Sequence, residues 1–167
     1  MSLYIFDKDG TLVRKKPLRE GLIRTPLMPE EQVLIEGVYE KLAALRAAGH
    51  TLAMASNQSA VAKGMLTMQQ AEELMADCAK KVGGMNAWRF CPYSPKSPPK
   101  LNGEDNPYAC DHAWRKPNPG MLIDLMNELG FPANDTCMIG DSKKDRQAAE
   151  NAGVKFIPAK KFFQFER

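Results

Sequence analysis

Two carboxylates stand one residue apart near the start of the chain, in Tyr4-Ile5-Phe6-Asp7-Lys8-Asp9-Gly10-Thr11-Leu12. The apolar run before them, Leu3–Phe6, reads as a buried strand. Gly10 and Thr11 then turn the chain away. In an open α/β sheet, ligands bind just outside the carboxyl ends of the strands. Alternate residues of extended chain point to one side, so Asp7 and Asp9 crowd each other. Crowded acids require a shared proton or a hard cation. A carboxylate can also attack phosphorus to form an aspartyl-phosphate, while its neighbour passes a proton to the leaving oxygen. An Asx turn would use the same residue types for geometry alone, so the other strand ends must decide.

Three further stretches carry compatible chemistry. Thr51-Leu52-Ala53-Met54-Ala55 reads as a second strand and runs into Ser56-Asn57-Gln58-Ser59. Small polar residues there can offer hydroxyl, amide and backbone N–H groups to phosphate oxygens. Arg115-Lys116-Pro117-Asn118-Pro119-Gly120-Met121 puts two cations at the entry to a helix. Lys116 is a compact cation that could neutralise a phosphate and an attacking Asp together. Arg115 could fork onto a second anionic group. Thr136-Cys137-Met138-Ile139, another strand, ends in Gly140-Asp141-Ser142-Lys143-Lys144-Asp145. Asp141 would join Asp7 if the two strands are neighbours, making an all-oxygen site suited to magnesium. Asp145 is placed to orient Lys116 or a water.

The elements that must position these residues alternate between strand and helix. Pro29-Glu30-Glu31 opens a helix that buries Leu34, Val38, Leu42 and Leu45 and ends at Gly49. His50 reads as a cap or surface residue. The capping box Thr67-x-x-Gln70 starts a second helix, with Ala71, Leu74, Met75, Cys78 and Val82 on its buried face. Gly83-Gly84 breaks it, and a third strand runs from Asn86 to Phe90. Leu122, Leu125, Met126 and Leu129 mark a third helix that Gly130 ends. A short helix to Ala152 and a strand from Val154 to Ile157 complete the pattern. The aromatic tail, Phe162, Phe163 and Phe165, is expected to pack on the body.

Two stretches lack periodicity. Residues 13–26 hold five Lys or Arg and two Pro, and read as an irregular basic loop beside the acid pair. Such a loop could grip an anionic ligand or be plain solvated surface. Residues 91–115 hold five Pro and read as an irregular loop. Cys91 lies at one end, Cys110 and His112 at the other. A structural zinc pinning both ends would use these three and need a fourth ligand, with Asp105 or Asp111 on offer. The alternative is a pair of reduced cysteines and no metal.

Composition limits the function classes. The chain has 167 residues and reads as a single domain over 1–167, 44% hydrophobic and 26% charged. A net charge of +3 permits an anionic substrate without requiring nucleic acid. No apolar run reaches membrane-spanning length, and no signal pattern opens the chain. A cytoplasmic monomer with reduced thiols is expected, Cys78 and Cys137 being core residues.

Four motifs after four strands, Asp7-x-Asp9-Gly-Thr, Ser56-Asn57-Gln58, Lys116 and Gly140-Asp141-x-x-x-Asp145, together resemble the haloacid dehalogenase (HAD) superfamily of phosphatases. Ser-Asn-Gln-Ser, Arg-Lys-Pro-x-Pro-Gly-Met and Cys-Pro-x-x-Pro are similar to the branch of heptose-1,7-bisphosphate and histidinol phosphatases. The resemblance implies a three-layer Rossmann-like fold, a parallel sheet flanked by helices, with no large cap domain. It implies that Asp7 is the nucleophile and that Asp9 is the general acid and then the base. Mg²⁺ would be held by Asp7, the Asp9 backbone carbonyl and Asp141, with Asp145 behind them. Ser56, Asn57 and Gln58 would bind the phosphoryl group, Lys116 offset its charge, and Arg115 meet the rest of the substrate. The branch's zinc loop has Cys-x-His and Cys-x-Cys; here the chain reads Cys91-Pro-Tyr93 and Cys110-Asp-His112. The implied function is Mg²⁺-dependent hydrolysis of a small phosphorylated metabolite, such as heptose 1,7-bisphosphate of carbohydrate metabolism. A polynucleotide 3′-phosphatase shares the motifs and would use the basic loop. A phosphate-binding module without turnover is the third reading.

Overall fold

Leu3, Ile5 and Phe6 are fully buried, so the strand they form, β1 (Leu3–Phe6), lies inside the molecule with both faces covered. Strands of a parallel sheet are continuously apolar for this reason. The computed structural model describes residues 1–19 and 22–164, and only the backbone of 16–19 and 22–23. After β1 come a hairpin, β2 (Lys16–Arg19) and β3 (Leu22–Arg24), then helix α1 (Val38–Ala47) and strand β4 (Thr51–Asn57). Helix α2 (Met68–Lys81), strand β5 (Ala87–Cys91) and the two-residue strands β6 (Lys100–Leu101) and β7 (Glu104–Asp105) follow. Helix α3 (Gly120–Leu129), strand β8 (Thr136–Gly140), helix α4 (Lys143–Ala152), strand β9 (Lys155–Pro158) and helix α5 (Ala159–Phe163) complete the order.

The main sheet has the order β5-β4-β1-β8-β9, and every pair in it is parallel. The chain starts at the centre, builds outward on one side through β4 and β5, then crosses to β8 and β9. That reversal next to β1 is the place where the fold opens a crevice at the strand ends. Register makes the crevice functional: Phe6 lies opposite both Met54 and Ile139. Asp7 therefore lies level with Ala55 and Gly140, and Ser56 and Asp141 emerge one residue further along the same sheet edge. One face of the sheet packs Phe6, Met54 and Ile139 against Leu42 of α1 and Leu74 and Met75 of α2. The other packs Ile5 and Met138 against Met121, Leu122 and Leu125 of α3 and Ala148 of α4. The three-layer α/β architecture is the expected one. Among the described residues, no helix is long and apolar enough to cross a membrane.

The first helix differs from the periodicity reading. Pro29–Glu31 forms only a 3-10 turn, and α1 starts at Val38 after Gly37 in the left-handed region. The intervening chain is extended because it pairs with the turn after β1. Arg14 N–H donates to Val33 O at 2.8 Å and Ile35 N–H to Leu12 O at 2.9 Å. Leu34 owes its apolar character to that pairing, not to a helical face. Residues 13–26 likewise differ from an irregular loop, since β2 and β3 pair antiparallel. The tail behaves as expected within the described residues: Phe162 and Phe163 lie against Phe6, with ring centroids 5.9 and 6.0 Å away. Phe165 lies outside the described residues.

Residues 91–115 keep their order by polar anchoring of Asn106. Its buried side-chain amide donates to Ala62 O at 2.7 Å and Pro98 O at 2.8 Å, and its Oδ1 accepts from Tyr108 N–H at 3.1 Å. Tyr93 adds a stack on His112, with centroids 4.6 Å apart and planes 7° from parallel. Asn106→Ala leaves two carbonyls unpaired and is expected to cost roughly 1–3 kcal/mol. A lowered melting temperature, with faster limited proteolysis inside residues 91–115, is the expected result; unchanged melting and cleavage would contradict the anchoring role.

Candidate active site

Asp7 continues the ladder one residue beyond β1, its N–H donating to Ile139 O at 2.9 Å. The chain then folds on itself, with Leu12 N–H and Val13 N–H both donating to Lys8 O, at 2.9 and 3.1 Å. Gly10 sits in this turn with φ +85°, and a Cβ there would come 2.1 Å from Asp141 Oδ2. Only glycine satisfies both the dihedral and the close approach of backbone to carboxylate. Gly140, at the end of β8, has the same kind of role: a Cβ would meet Asp145 Oδ2 at 2.4 Å.

Lys116 joins the four segments. Its buried ammonium donates to Asp7 Oδ1 at 2.8 Å, Asp145 Oδ1 at 2.6 Å and Ala55 O at 3.0 Å, which accounts for all three of its protons. Its backbone is clamped by Asn57, whose Oδ1 accepts from Lys116 N–H at 3.0 Å and whose Nδ2 donates to Lys116 O at 3.0 Å. Asp145 is fixed in turn by the start of α4, where its Oδ2 accepts from Ser142 N–H at 3.1 Å and Ser142 Oγ at 2.9 Å. Burial would drive the Lys116 ammonium towards neutrality, but Asp7 and Asp145 outweigh it and hold its pKa above the usual lysine range. Burial pushes the Asp7 carboxyl well above the usual carboxylate range; Lys116 opposes this, and Asp145 and Asp141 add to it.

Carboxylate oxygens of Asp7, Asp141 and Asp145 all lie within 4.8 Å of one another. The donors are all hard oxygens, two just past the ends of β1 and β8 and one in the first turn of α4, and the charges of Asp145 and Asp141 already disfavour the ionised form of Asp7. That set fits a Mg²⁺-type cation, which favours carboxylate ligands and neutralises such crowding. Lys15 also pairs with Asp141, its Nζ 3.2 Å from Oδ2.

Asp9 is held on both oxygens. Lys8 Nζ donates to Oδ1 at 2.6 Å and Gln58 Nε2 to Oδ2 at 3.1 Å. Gln58 Nε2 also donates to Ser56 Oγ at 2.7 Å. Asp7, Lys116, Asp141 and Asp145 thus converge as expected, with Asp9 and Ser56 beside them. The side chains of Asn57 and Gln58 do not face outward as phosphate ligands. Asn57 binds the Lys116 backbone and Gln58 binds Asp9, because both are drawn into buried polar pairing.

Arg115 lies next to Lys116 at the mouth, its buried Nε lacking a hydrogen-bond partner among the described residues. The Lys144 ammonium is pushed below the usual lysine range, by burial first and then by Arg115, Lys96, Lys116 and Lys63. Arg115, Lys96, Lys116 and Lys63 thus lie near enough to Lys144 to disfavour its charge. The basic loop offers less than its sequence implies: Lys15 pairs with Asp141, and Arg24 with Glu31 at 2.5 Å. Side chains of residues 16–23 lie outside the described residues.

The zinc expectation is corrected. Among the described residues, the three acids above are the one group of metal-type ligands gathered closely, and Cys91, Cys110 and His112 form no such group. Cys91 is buried with Sγ 3.9 Å from Tyr93 O, Cys110 is exposed, and His112 Nδ1 accepts from Trp114 N–H at 3.0 Å. The aromatic stack of Tyr93 on His112 joins the two ends of the loop. Sequence reasoning missed Lys8, Gln32 and Lys15. The one available signal was a lysine placed between two acids at a strand end.

The match to known proteins covers nearly the whole chain. The HAD-hydrolase-like family model matches residues 113–160. A D-glycero-β-D-manno-heptose-1,7-bisphosphate 7-phosphatase of Neisseria meningitidis is 31% identical over 159 residues, 93% of this chain and 75% of the relative. The protein of the same name from Photorhabdus laumondii is 33% identical over 155 residues, 89% of this chain and 74% of the relative. The crystal structure of D,D-heptose 1,7-bisphosphate phosphatase from B. bronchiseptica, complexed with magnesium and phosphate, superposes with a TM-score of 0.74 at 27% identity, covering 93% of this chain and 79% of that one. With its parallel sheet and its Asp7–Lys116–Asp145 centre, this chain belongs to the haloacid dehalogenase superfamily of phosphatases.

Proposed function

We propose that the chain hydrolyses the phosphomonoester of a sugar bisphosphate in two steps, with Asp7 as the nucleophile and Mg²⁺ as the cofactor. The observation that carries this reading is the Lys116 ammonium bonded to both Asp7 and Asp145, with Asp141 near enough to share a cation. In the first step an oxygen of Asp7 bonds to phosphorus and the bond from phosphorus to the sugar oxygen breaks. Asp9 gives its proton to that oxygen. In the second step Asp9 takes a proton from water as the water oxygen bonds to phosphorus, and Asp7 is released with inorganic phosphate. Lys116 offsets the charge that builds on the phosphoryl oxygens, which is where most phosphoryl-transfer catalysis lies. Magnesium bound by Asp7, Asp141 and the Asp9 backbone carbonyl would neutralise phosphoryl charge and keep the acids ionised.

Heptose 1,7-bisphosphate is the proposed substrate. Relatives covering most of the chain carry that name, and a second phosphate suits the rim of Lys63, Lys96, Arg115 and Lys144. Arg115 is only part-buried, and a guanidinium can fork onto such a group.

Asp7→Asn is expected to lower kcat by about 10³-fold or more, as loss of a covalent nucleophile does. Chelation with EDTA should abolish phosphate release by wild type and added Mg²⁺ restore it; activity indifferent to either change would refute the reading. Arg115→Met and Lys144→Met should each raise KM for heptose 1,7-bisphosphate by about tenfold, the equivalent of one charge-assisted hydrogen bond. The rise should be smaller for p-nitrophenyl phosphate, which has no second anionic group. Equal effects on both substrates would remove the rim from substrate recognition. Turnover of 3′-phosphorylated oligonucleotides that falls steeply with salt, without turnover of the sugar, would replace the substrate assignment.

A further inference from the structure

Lys8 is a fully buried lysine, at 0% exposure, and the proposed chemistry does not use it. A lysine is almost never fully buried unless paired, because stripping water from the ammonium costs several kcal/mol. Lys8 and Lys116 share no hydrogen-bond partner. Lys8 Nζ donates to Asp9 Oδ1 at 2.6 Å and to Gln32 Oε1 at 2.7 Å. Gln32 is itself buried and fixed: its Nε2 donates to Leu74 O and to Asp77 Oδ2 of α2, each at 2.9 Å. Lys81 closes the arrangement, with Nζ 2.8 Å from Asp77 Oδ2 and donating to Pro29 O at 2.6 Å and Gln32 O at 3.0 Å. A continuous polar chain thus runs from the middle of α2 to one oxygen of Asp9.

The two oxygens of Asp9 are held unequally. Oδ1 has a charged donor at 2.6 Å, anchored at its far side; Oδ2 has a neutral amide at 3.1 Å, shared with Ser56 Oγ. Charge-assisted bonds are roughly twice as strong as neutral ones. The contact that yields when a substrate oxygen arrives is therefore the one from Gln58. Gln58 can yield cheaply because it keeps its bond to Ser56.

We propose that Lys8, braced by Gln32 on α2, is a positioning residue that pins Asp9 Oδ1, so that Oδ2 is the oxygen that exchanges the proton with the leaving group and then with water. The inference rests on the reading of Asp9 as general acid and base. The Lys8 ammonium bonds Asp9 and Gln32 and none of the carboxylates of Asp7, Asp141 and Asp145. Gln32, which carries no chemistry of its own, acquires a catalytic consequence through Lys8.

Leaving groups separate positioning from general damage. An alkyl phosphate ester needs protonation of its departing oxygen, whereas p-nitrophenolate leaves without it. Lys8→Met should lower kcat on heptose 1,7-bisphosphate by about tenfold or more, within the range that general acid catalysis supplies, and change kcat on p-nitrophenyl phosphate by less than about threefold. Gln32→Met, which keeps the Lys8–Asp9 pair but removes its brace, should show the same selectivity at smaller size and serves if Lys8→Met does not fold. In an Asp9→Asn background, Lys8→Met should add no further selective loss. Equal losses on both substrates for Lys8→Met and Gln32→Met, with Asp9→Asn still selective, would overturn the positioning role alone. An Asp9→Asn variant that is itself unselective would overturn the general-acid reading and the positioning role with it.

Discussion

The ammonium of Lys116 is the contact on which the site depends. It meets the end of β1 at Asp7, β4 at the carbonyl of Ala55, and the start of α4 at Asp145. Removing one partner of such a buried pair leaves an uncompensated charge, and the penalty falls on whichever group remains. The arrangement is therefore all or nothing. Asn57 fixes the backbone behind Lys116, and Ser142 fixes Asp145, so neither end of the bridge can drift. The electrostatics show the same interdependence: Lys116 stays charged only because two acids face it, and Asp7 resists ionisation in spite of Lys116. Such a centre has a standing preference for more positive charge, which is the property a phosphoryl-transfer site with a divalent cation requires.

Backbone shape supports this as much as side-chain chemistry does. Gly10 and Gly140 bring main chain against the carboxylates of Asp141 and Asp145, at places where any Cβ would collide. Parallel register then sets the level, since Phe6 faces Met54 on one side and Ile139 on the other. Repulsion among the acids is built in by the fold.

Much of the site was legible in the sequence because it sits at strand ends, where short apolar runs are followed at once by reactive residues. Asp7 and Asp141 could be placed from that pattern and Lys116 from its position at the entry to a helix, and the parallel sheet follows from the alternation of strand and helix. What could not be read depended on long-range pairing. Leu34 fits a helical face by spacing, yet it lies in extended chain opposite Val13, a pairing no local pattern encodes. Asn57 and Gln58 have the chemistry of phosphate ligands, but their partners are Lys116 and Asp9, which are distant in the chain or hidden by the fold. Cys91, Cys110 and His112 sit at zinc-like positions, while the loop is ordered by Asn106 and an aromatic stack. Lys8 was hidden most completely, because a lysine between two acids reads as charge balance until Gln32, 24 residues away, is seen behind it.

The central claim is that phosphorus passes through Asp7. Wild-type protein quenched in acid during turnover, reduced with borohydride and digested, should yield a peptide in which position 7 is homoserine, the reduction product of an aspartyl-phosphate. Reduction product at another residue, or phosphorus recovered on Ser56, would contradict the account.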